Sequence, residues 1–481
     1  MASVKQDLLS GVFWSFVEKY SGLMLSIIVS MILARLLSPE QFGIVAIANV
    51  IILFLTMLCQ MGIGPAIIQR RDLSNQDINS IFSITCILGG FLAIAFFFSS
   101  SFIASYYNNE GLKSVCQILS INVFFSAANM VPNALMAKNK RFKQIAKRTL
   151  ILQFSSGVLS VIAATLGCGI YSLLISPVLT SIGIFFYNRR FYKVNFVKKL
   201  SFEPFQRIFS YSAYQFLFQF INYWAGNIDK LIIGKYISTS DLGYYQKSYQ
   251  LVQLPLNNVS TVINPVLQPV LSEFQDDKRS VGDKFLKIMK MIGTISSPIA
   301  ALLFFCGTEI ILVFYGQQWT SAIPSFKILS LMIPVQMILA SSASFFQSTN
   351  ETKKLFIVGF INSIVIITAI LFSASLYKTI EAIAWSVTIT SYCSFAVTYY
   401  FILVVILKFK LIEIVDFFSS PLIVGVISFV MLGFVDYIFA SIPVIGCGVK
   451  ILLTMAIIYL ALLICHNINV FIIIFKRLKK I

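Results

Sequence analysis

Two series of polar residues in this sequence run at helical spacing through otherwise apolar stretches. Tyr211, Gln215, Gln219, Asn222, Gly226 and Asp229 step by four, four, three, four and three. Gln246, Gln250, Gln253, Asn257, Ser260, Asn264 and Gln268 step by four, three, four, three, four and four. On a helix such steps collect the side chains on one face. Amides both donate and accept hydrogen bonds, which suits them to sugar hydroxyls, whereas a phosphate calls for lysine. Charges lie in the same stretches: Glu18, Lys19, Asp229, Lys230, Lys247 and Lys327. Each would cost about 2.5–3.5 kcal/mol at the centre of a membrane helix unless it met protein, water or a ligand. The candidate ligand-binding set is therefore Lys19, Gln215, Gln219, Asn222, Lys230, Lys247, Gln250, Gln253 and Asn257. Glu18 and Asp229 are the carboxylates able to carry a coupling proton.

The elements that position these residues are membrane helices. Of 481 residues, 58% are hydrophobic and 12% charged, about half the charged share of a soluble domain. Apolar runs of about 20 residues, the length that spans a bilayer, recur throughout. They lie near 11–34, 42–64, 81–105, 114–136, 147–167, 169–187 and 208–234. Seven more follow near 242–270, 285–306, 320–346, 354–375, 380–406, 416–438 and 447–475. The expected fold is all-α and integral to the membrane, with about fourteen transmembrane helices. The first thirty residues read as an amphipathic lead into the first span rather than a cleavable signal, because Asp7, Glu18 and Lys19 interrupt the apolar run.

Charge alternates between successive connections. Most of the 37 Lys and Arg residues belong to one set, which includes Arg70/Arg71, Lys138–Arg148, Arg189–Arg207, Lys278–Lys290, Lys353/Lys354, Lys408/Lys410 and the tail Lys476–Lys480. The positive-inside rule makes these connections and both termini cytoplasmic. The net charge of +18 then reflects topology and contact with anionic membrane lipids, not nucleic acid.

The sequence also repeats. Ala34-Arg35-Leu36-Leu37-Ser38 with Phe42-Gly43 matches Gly234-Lys235-Tyr236-Ile237-Ser238 with Leu242-Gly243, at an offset of 200. Further on, Gly169-Ile170-Tyr171 to Ser176 matches Thr379-Ile380-Glu381 to Ser386, at an offset of 210. Lys19 and Gly22 of the first span align with Gln219 and Asn222. These matches predict a six-helix half over 1–200, a parallel six-helix repeat over 201–407, and two further helices with a basic tail over 408–481. Parallel repeats around a central cavity are the architecture of alternating-access transporters.

Several chemistries are excluded. The one histidine, His466, leaves no partner for a His-based metal cluster or His–carboxylate catalysis. The eight cysteines form no CxxC pair and read as small apolar residues. No GxxxxGK[ST] loop is present for a nucleotide. No metal or cofactor is expected, and transport is favoured over enzymatic activity.

The block Trp14-Ser15-Phe16-Val17-Glu18-Lys19, followed by Leu33-Ala34-Arg35-Leu36-Leu37-Ser38-Pro39-Glu40-Gln41-Phe42-Gly43, resembles the opening of Wzx-type oligosaccharide flippases. These belong to the multidrug/oligosaccharidyl-lipid/polysaccharide exporter superfamily. Asn227-Ile228-Asp229-Lys230-Leu231-Ile232-Ile233-Gly234-Lys235 with Leu242-Gly243-Tyr244-Tyr245 extends the likeness into the second half. The resemblance implies a bacterial inner-membrane protein that moves undecaprenyl-diphosphate-linked repeat units for O-antigen, capsule or exopolysaccharide synthesis. A polymerase and a chain-length regulator are the partner proteins it implies. Lys19, Lys247 and Lys230 would then attract the diphosphate, and the amides would contact sugars. A multidrug or cation exporter of the same superfamily is the alternative, and it would favour an acidic, aromatic-lined cavity. A membrane-embedded polymerase or acyltransferase would need a large periplasmic loop or catalytic histidines.

Overall fold

A backbone crossing hydrocarbon must satisfy its own hydrogen bonds, so long apolar runs fold as helices. A computed structural model describes residues 2–60, 63–70, 72–197, 219–272, 278–409 and 411–466, together with Ile468. Gln215 and the tail 476–480 lie outside them. Among the described residues every regular element is helical. The chain divides into two compact units, Met1–Gly243 and Tyr244–Ile481.

The first unit holds α1 (Ala2–Leu36), α2 (Pro39–Gln60), α3 (Ile63–Gln69), α4 (Asn75–Tyr107), α5 (Gly111–Lys138), α6 (Phe142–Thr165), α7 (Tyr171–Phe191) and α8 (Ile228–Tyr236). Residues 219–225 are helical as well. Ile63 and Ile67 of α3, Ile81 and Phe82 of α4, Ala128 and Val131 of α5 and Phe185 of α7 share one apolar core. Leu33 and Leu37 pack with Ala164 of α6. Away from those cores Phe98 and Phe102 of α4 are 75% and 74% exposed on a helix long and apolar enough to cross a membrane. The chain is thus a multi-pass membrane protein.

α9 (Thr239–Ser272) starts in the first unit and continues into the second. Its 34 residues extend about 50 Å at 1.5 Å per residue, well beyond a bilayer core of about 30 Å. The rest of the second unit is α10 (Lys278–Phe305), α11 (Gly307–Tyr315), α12 (Ile323–Ser330), α13 (Ile333–Leu339), α14 (Ser342–Ser348), α15 (Thr352–Leu376), α16 (Ile380–Tyr400), α17 (Leu411–Ile438) and α18 (Pro443–His466). Val424 of α17 packs on Ile457 and Ala461 of α18, joining the last two helices.

Eleven described helical stretches are long and apolar enough to cross a membrane, or twelve if one bent pair counts as a span. The all-helical membrane architecture holds, while the count of fourteen is not confirmed. Much of the stretch expected at 208–234 lies outside the described residues, and the amides of α9 keep it from the apolar set. The stretch expected at 320–346 is not one helix: Gln317–Ser330 and Ile333–Ser348 meet at 54°. Pro324 and Pro334 sit in the first turns of α12 and α13, where the missing N–H is harmless but the preceding helix must stop. α11 occupies residues that the apolar pattern left as a connection.

Two pairs of the matched segments share local geometry. Ser38 and Gln41 cap α2 reciprocally: the Ser38 N–H donates to Gln41 Oε1 at 3.1 Å and the Gln41 N–H to Ser38 Oγ at 3.4 Å. Two hundred residues on, the Asp241 N–H donates to Ser238 Oγ at 2.9 Å, and that hydroxyl donates to Asp241 Oδ2 at 2.6 Å. The two capped starts lie against each other at their glycines. A Cβ on Gly43 would overlap the Thr239 carbonyl, and one on Gly243 would overlap the Pro39 carbonyl. Ser176 of α7 bonds Ser156 of α6 at 3.1 Å. Its counterpart Ser386 of α16 bonds Ser373 of α15.

Candidate functional site

A polar cluster joins α1, α5, α6 and α7. Asn129 and Asn133 lie one turn apart on α5, so both amides face the same neighbours. Arg148, near the start of α6, is 4% exposed. Its Nη1 donates to Asn188 Oδ1 of α7, and both terminal nitrogens reach Asn133 Oδ1 at 3.3 Å. Asn188 Nδ2 donates in turn to Asn129 Oδ1 at 2.7 Å. The half-buried Glu18 of α1 accepts a bond from Thr149 Oγ1 at 2.9 Å and is an electrostatic neighbour of Arg148. A buried guanidinium is tolerable because amide oxygens and a carboxylate surround it.

The charge pattern assigns Arg148 to a cytoplasmic connection, and the structure corrects this. Its helix begins earlier than the apolar run, at Phe142, so Arg148 is already inside the bundle. The one available signal was the Asn129/Asn133 spacing. Arg148→Met, which keeps the volume and removes the charge, is expected to cost about 3–5 kcal/mol by leaving the amides and Glu18 unanswered. Thermal unfolding of the detergent-solubilised protein measures it, and Arg148→Lys should lose less.

Lys19, next to Glu18, is exposed, and its ammonium stands 5.7 Å from the Tyr20 ring centroid. One turn on, a Cβ on Gly22 would come within 2.8 Å of Gln153 Oε1. That oxygen is buried and accepts no hydrogen bond among the described residues. The polar side of α1 therefore carries an exposed lysine, and one turn on it meets a buried amide of α6 at Gly22.

Gln219 and Asn222 lie on the helical segment 219–225, both exposed. Gln215, their predicted neighbour, lies outside the described residues. Asp229 and Lys230, in the first turn of α8, are both buried. Lys230 Nζ donates to the Gly226 carbonyl at 3.1 Å and to Asn227 Oδ1 at 3.0 Å, and lies 3.8 Å from Asp229 Oδ1. Lys230 thus braces the break between the 219–225 segment and α8.

In the second unit Lys247 of α9 is 4% exposed, its ammonium 5.1 Å from the Tyr315 ring centroid. Tyr315 touches Trp319, which meets Tyr244. Beside the lysine, Ser248 Oγ donates to the Ala322 carbonyl at 2.8 Å. Gln250 and Gln253 are half-buried and Asn257 is exposed, so the face opens along the helix.

The structure thus groups Lys247 with the amides of α9, and Glu18 with a polar cluster that includes the overlooked Arg148. It separates the lysines by environment: Lys19 is exposed, whereas Lys230 and Lys247 are buried. An exposed lysine can bind an anion, and half-buried amides can bind hydroxyls. Among the described residues no group of His, Cys, Asp or Glu is arranged to hold a metal ion.

The sequence pattern of the polysaccharide biosynthesis protein family matches residues 32–324. Teichuronic acid biosynthesis protein TuaB of Bacillus subtilis is 24% identical over 352 residues, covering 72% of this chain and 72% of that protein. Lipopolysaccharide biosynthesis protein WzxC of Escherichia coli is 24% identical over 338 residues, covering 69% and 68%. Among solved structures, lipid II flippase MurJ in an inward closed conformation superposes with a TM-score of 0.72 at 15% identity. The superposition covers 94% of this chain and all of that one, which shows a common fold.

Proposed function

This chain belongs to the polysaccharide biosynthesis protein family, and we propose that it is a flippase for oligosaccharide repeat units linked to undecaprenyl diphosphate. It carries them across the bacterial inner membrane by alternating access. Both termini and the basic connections are cytoplasmic. Two six-helix halves, 1–200 and 201–407, do the work, and the helices of 408–481 are an addition. A polymerase and a chain-length regulator act on the delivered unit.

The observation that carries this reading is α9, a long helix with Lys247, Gln250, Gln253 and Asn257 on one side among apolar spans. Packing alone does not call for so many amides in lipid. A charged head group with many hydroxyls does. Lys19, exposed on α1, attracts the diphosphate, Gln219 and Asn222 join the sugar contacts, and Glu18 or Asp229 carries a coupling proton. The multidrug or cation exporter reading has less support, because the relatives bear names from polysaccharide synthesis. Deleting the gene is expected to remove the surface polysaccharide from a gel of cell extracts, and a plasmid copy should restore it. Full polysaccharide in the deletion strain, with a loss of drug tolerance instead, would favour the exporter.

A further inference from the structure

We propose that Cys306 and Cys447 form a redox pair that closes to a disulfide, tying the last helix to the junction of α10 and α11. Two observations place them together, and a third suits them to the chemistry. Lys450, one turn beyond Cys447 on α18, sends its Nζ to the Phe305 carbonyl at 3.2 Å. That carbonyl belongs to the residue before Cys306, so the Cys447 face of α18 lies on this junction. Cys447 is among the near neighbours of Cys306, with Lys450 and Glu309 as the charged groups beside it. Cys306 is 1% exposed and Cys447 half-buried, which gives one sulfur open to a reagent and one that is not.

The site is held in place. Lys450 also pairs with Asp436 of α17, so the α17–α18 hairpin is fixed where it meets Phe305. Cys306 occupies the break at which α10 ends and α11 begins. The inference rests on the orientation proposed above, which puts this end of α10 and the start of α18 on the extracytoplasmic side, where disulfides persist. The oxidant is a protein disulfide of that compartment. The Cys447 thiolate attacks one of its sulfurs, giving a mixed disulfide and releasing one thiol. The Cys306 thiolate then attacks Cys447 Sγ, forming the Cys306–Cys447 bond and releasing the second thiol. Two electrons and two protons pass to the oxidant, which leaves as a dithiol.

The test is a thiol trap on the full-length protein. Cells are quenched in acid, free thiols are blocked with N-ethylmaleimide, and the digested protein is examined by mass spectrometry. A peptide pair joined through Cys306 and Cys447, released by dithiothreitol, is expected. In Cys447→Ser, Cys306 should instead carry the block. Both cysteines blocked in the unreduced wild type would overturn the proposal. In that event two further measurements locate the fault. Cys168, exposed in the turn between α6 and α7, should react with a membrane-impermeant maleimide on spheroplasts if the orientation is right. Copper–phenanthroline should join the pair in solubilised protein if the geometry is right.

Discussion

Gly43→Ala and Gly243→Ala are each expected to deplete the folded protein severely, and the double variant should not accumulate. The cause is local. The starts of α2 and α9 cross where these glycines meet, and an alanine Cβ at either would occupy the space of the other segment's carbonyl oxygen. A side chain in that place could change rotamer, but a carbonyl at a capped helix start cannot. Overpacking a well-fitted interior costs about 1–3 kcal/mol, occasionally more, and a backbone collision belongs at the upper end. Moving one helix start to make room would also break the caps that Ser38 and Ser238 make. Gly64→Ala is the control. Nothing lies within 4 Å of a Cβ there, and alanine favours a helix over glycine by about 1 kcal/mol. Fluorescence-detected size exclusion with a thermal ramp reads all three. A Gly43→Ala melting point equal to wild type would show that the helix starts do not touch.

The second large effect concerns transport. Lys19→Ala combined with Lys247→Ala is expected to abolish surface polysaccharide while the protein remains in the membrane at its normal level. A hydrogen bond to a charged group contributes about 1.5–3 kcal/mol, so each lost contact weakens head-group binding on the order of 10-fold or more. The lysines should differ when replaced singly. Lys19 is exposed, and Lys19→Arg keeps a charge that can grip a phosphate, so it should retain function. Lys247 lies enclosed against Tyr315, where a guanidinium needs more room, so Lys247→Arg should lose more. Immunoblotting of membranes alongside the polysaccharide gel separates lost transport from lost protein. Unchanged polysaccharide in the double variant would remove these lysines from the site.

The membrane architecture was legible because hydrocarbon imposes one rule on every span. The repeat was legible for a related reason: Ser38 with Gly43 and Ser238 with Gly243 are a cap and a close approach, each needing its residue type. The division of 317–348 into short helices was less so, since Pro324 and Pro334 announce breaks without saying whether a helix bends or restarts. Environment was least legible. Lys19, Lys230 and Lys247 are alike as charges in apolar runs, and only tertiary neighbours decide that one is open, one braces a helix break and one rests on an aromatic ring. Arg148 was misread because a loop arginine and a buried one differ in their partners, which here come from α5, 15 residues before it, and α7, 40 residues after it.

The central claim is that this chain moves a lipid-linked oligosaccharide from one leaflet to the other. The most direct measurement is the sidedness of that lipid in spheroplasts, read with an impermeant sugar-modifying enzyme or lectin, with and without the gene. With the gene present, newly made lipid-linked units should become accessible from outside. Without it they should accumulate out of reach, and the Lys19→Ala/Lys247→Ala protein should fail to restore access. Units that reach the outer leaflet at the same rate in the deletion strain would contradict the account.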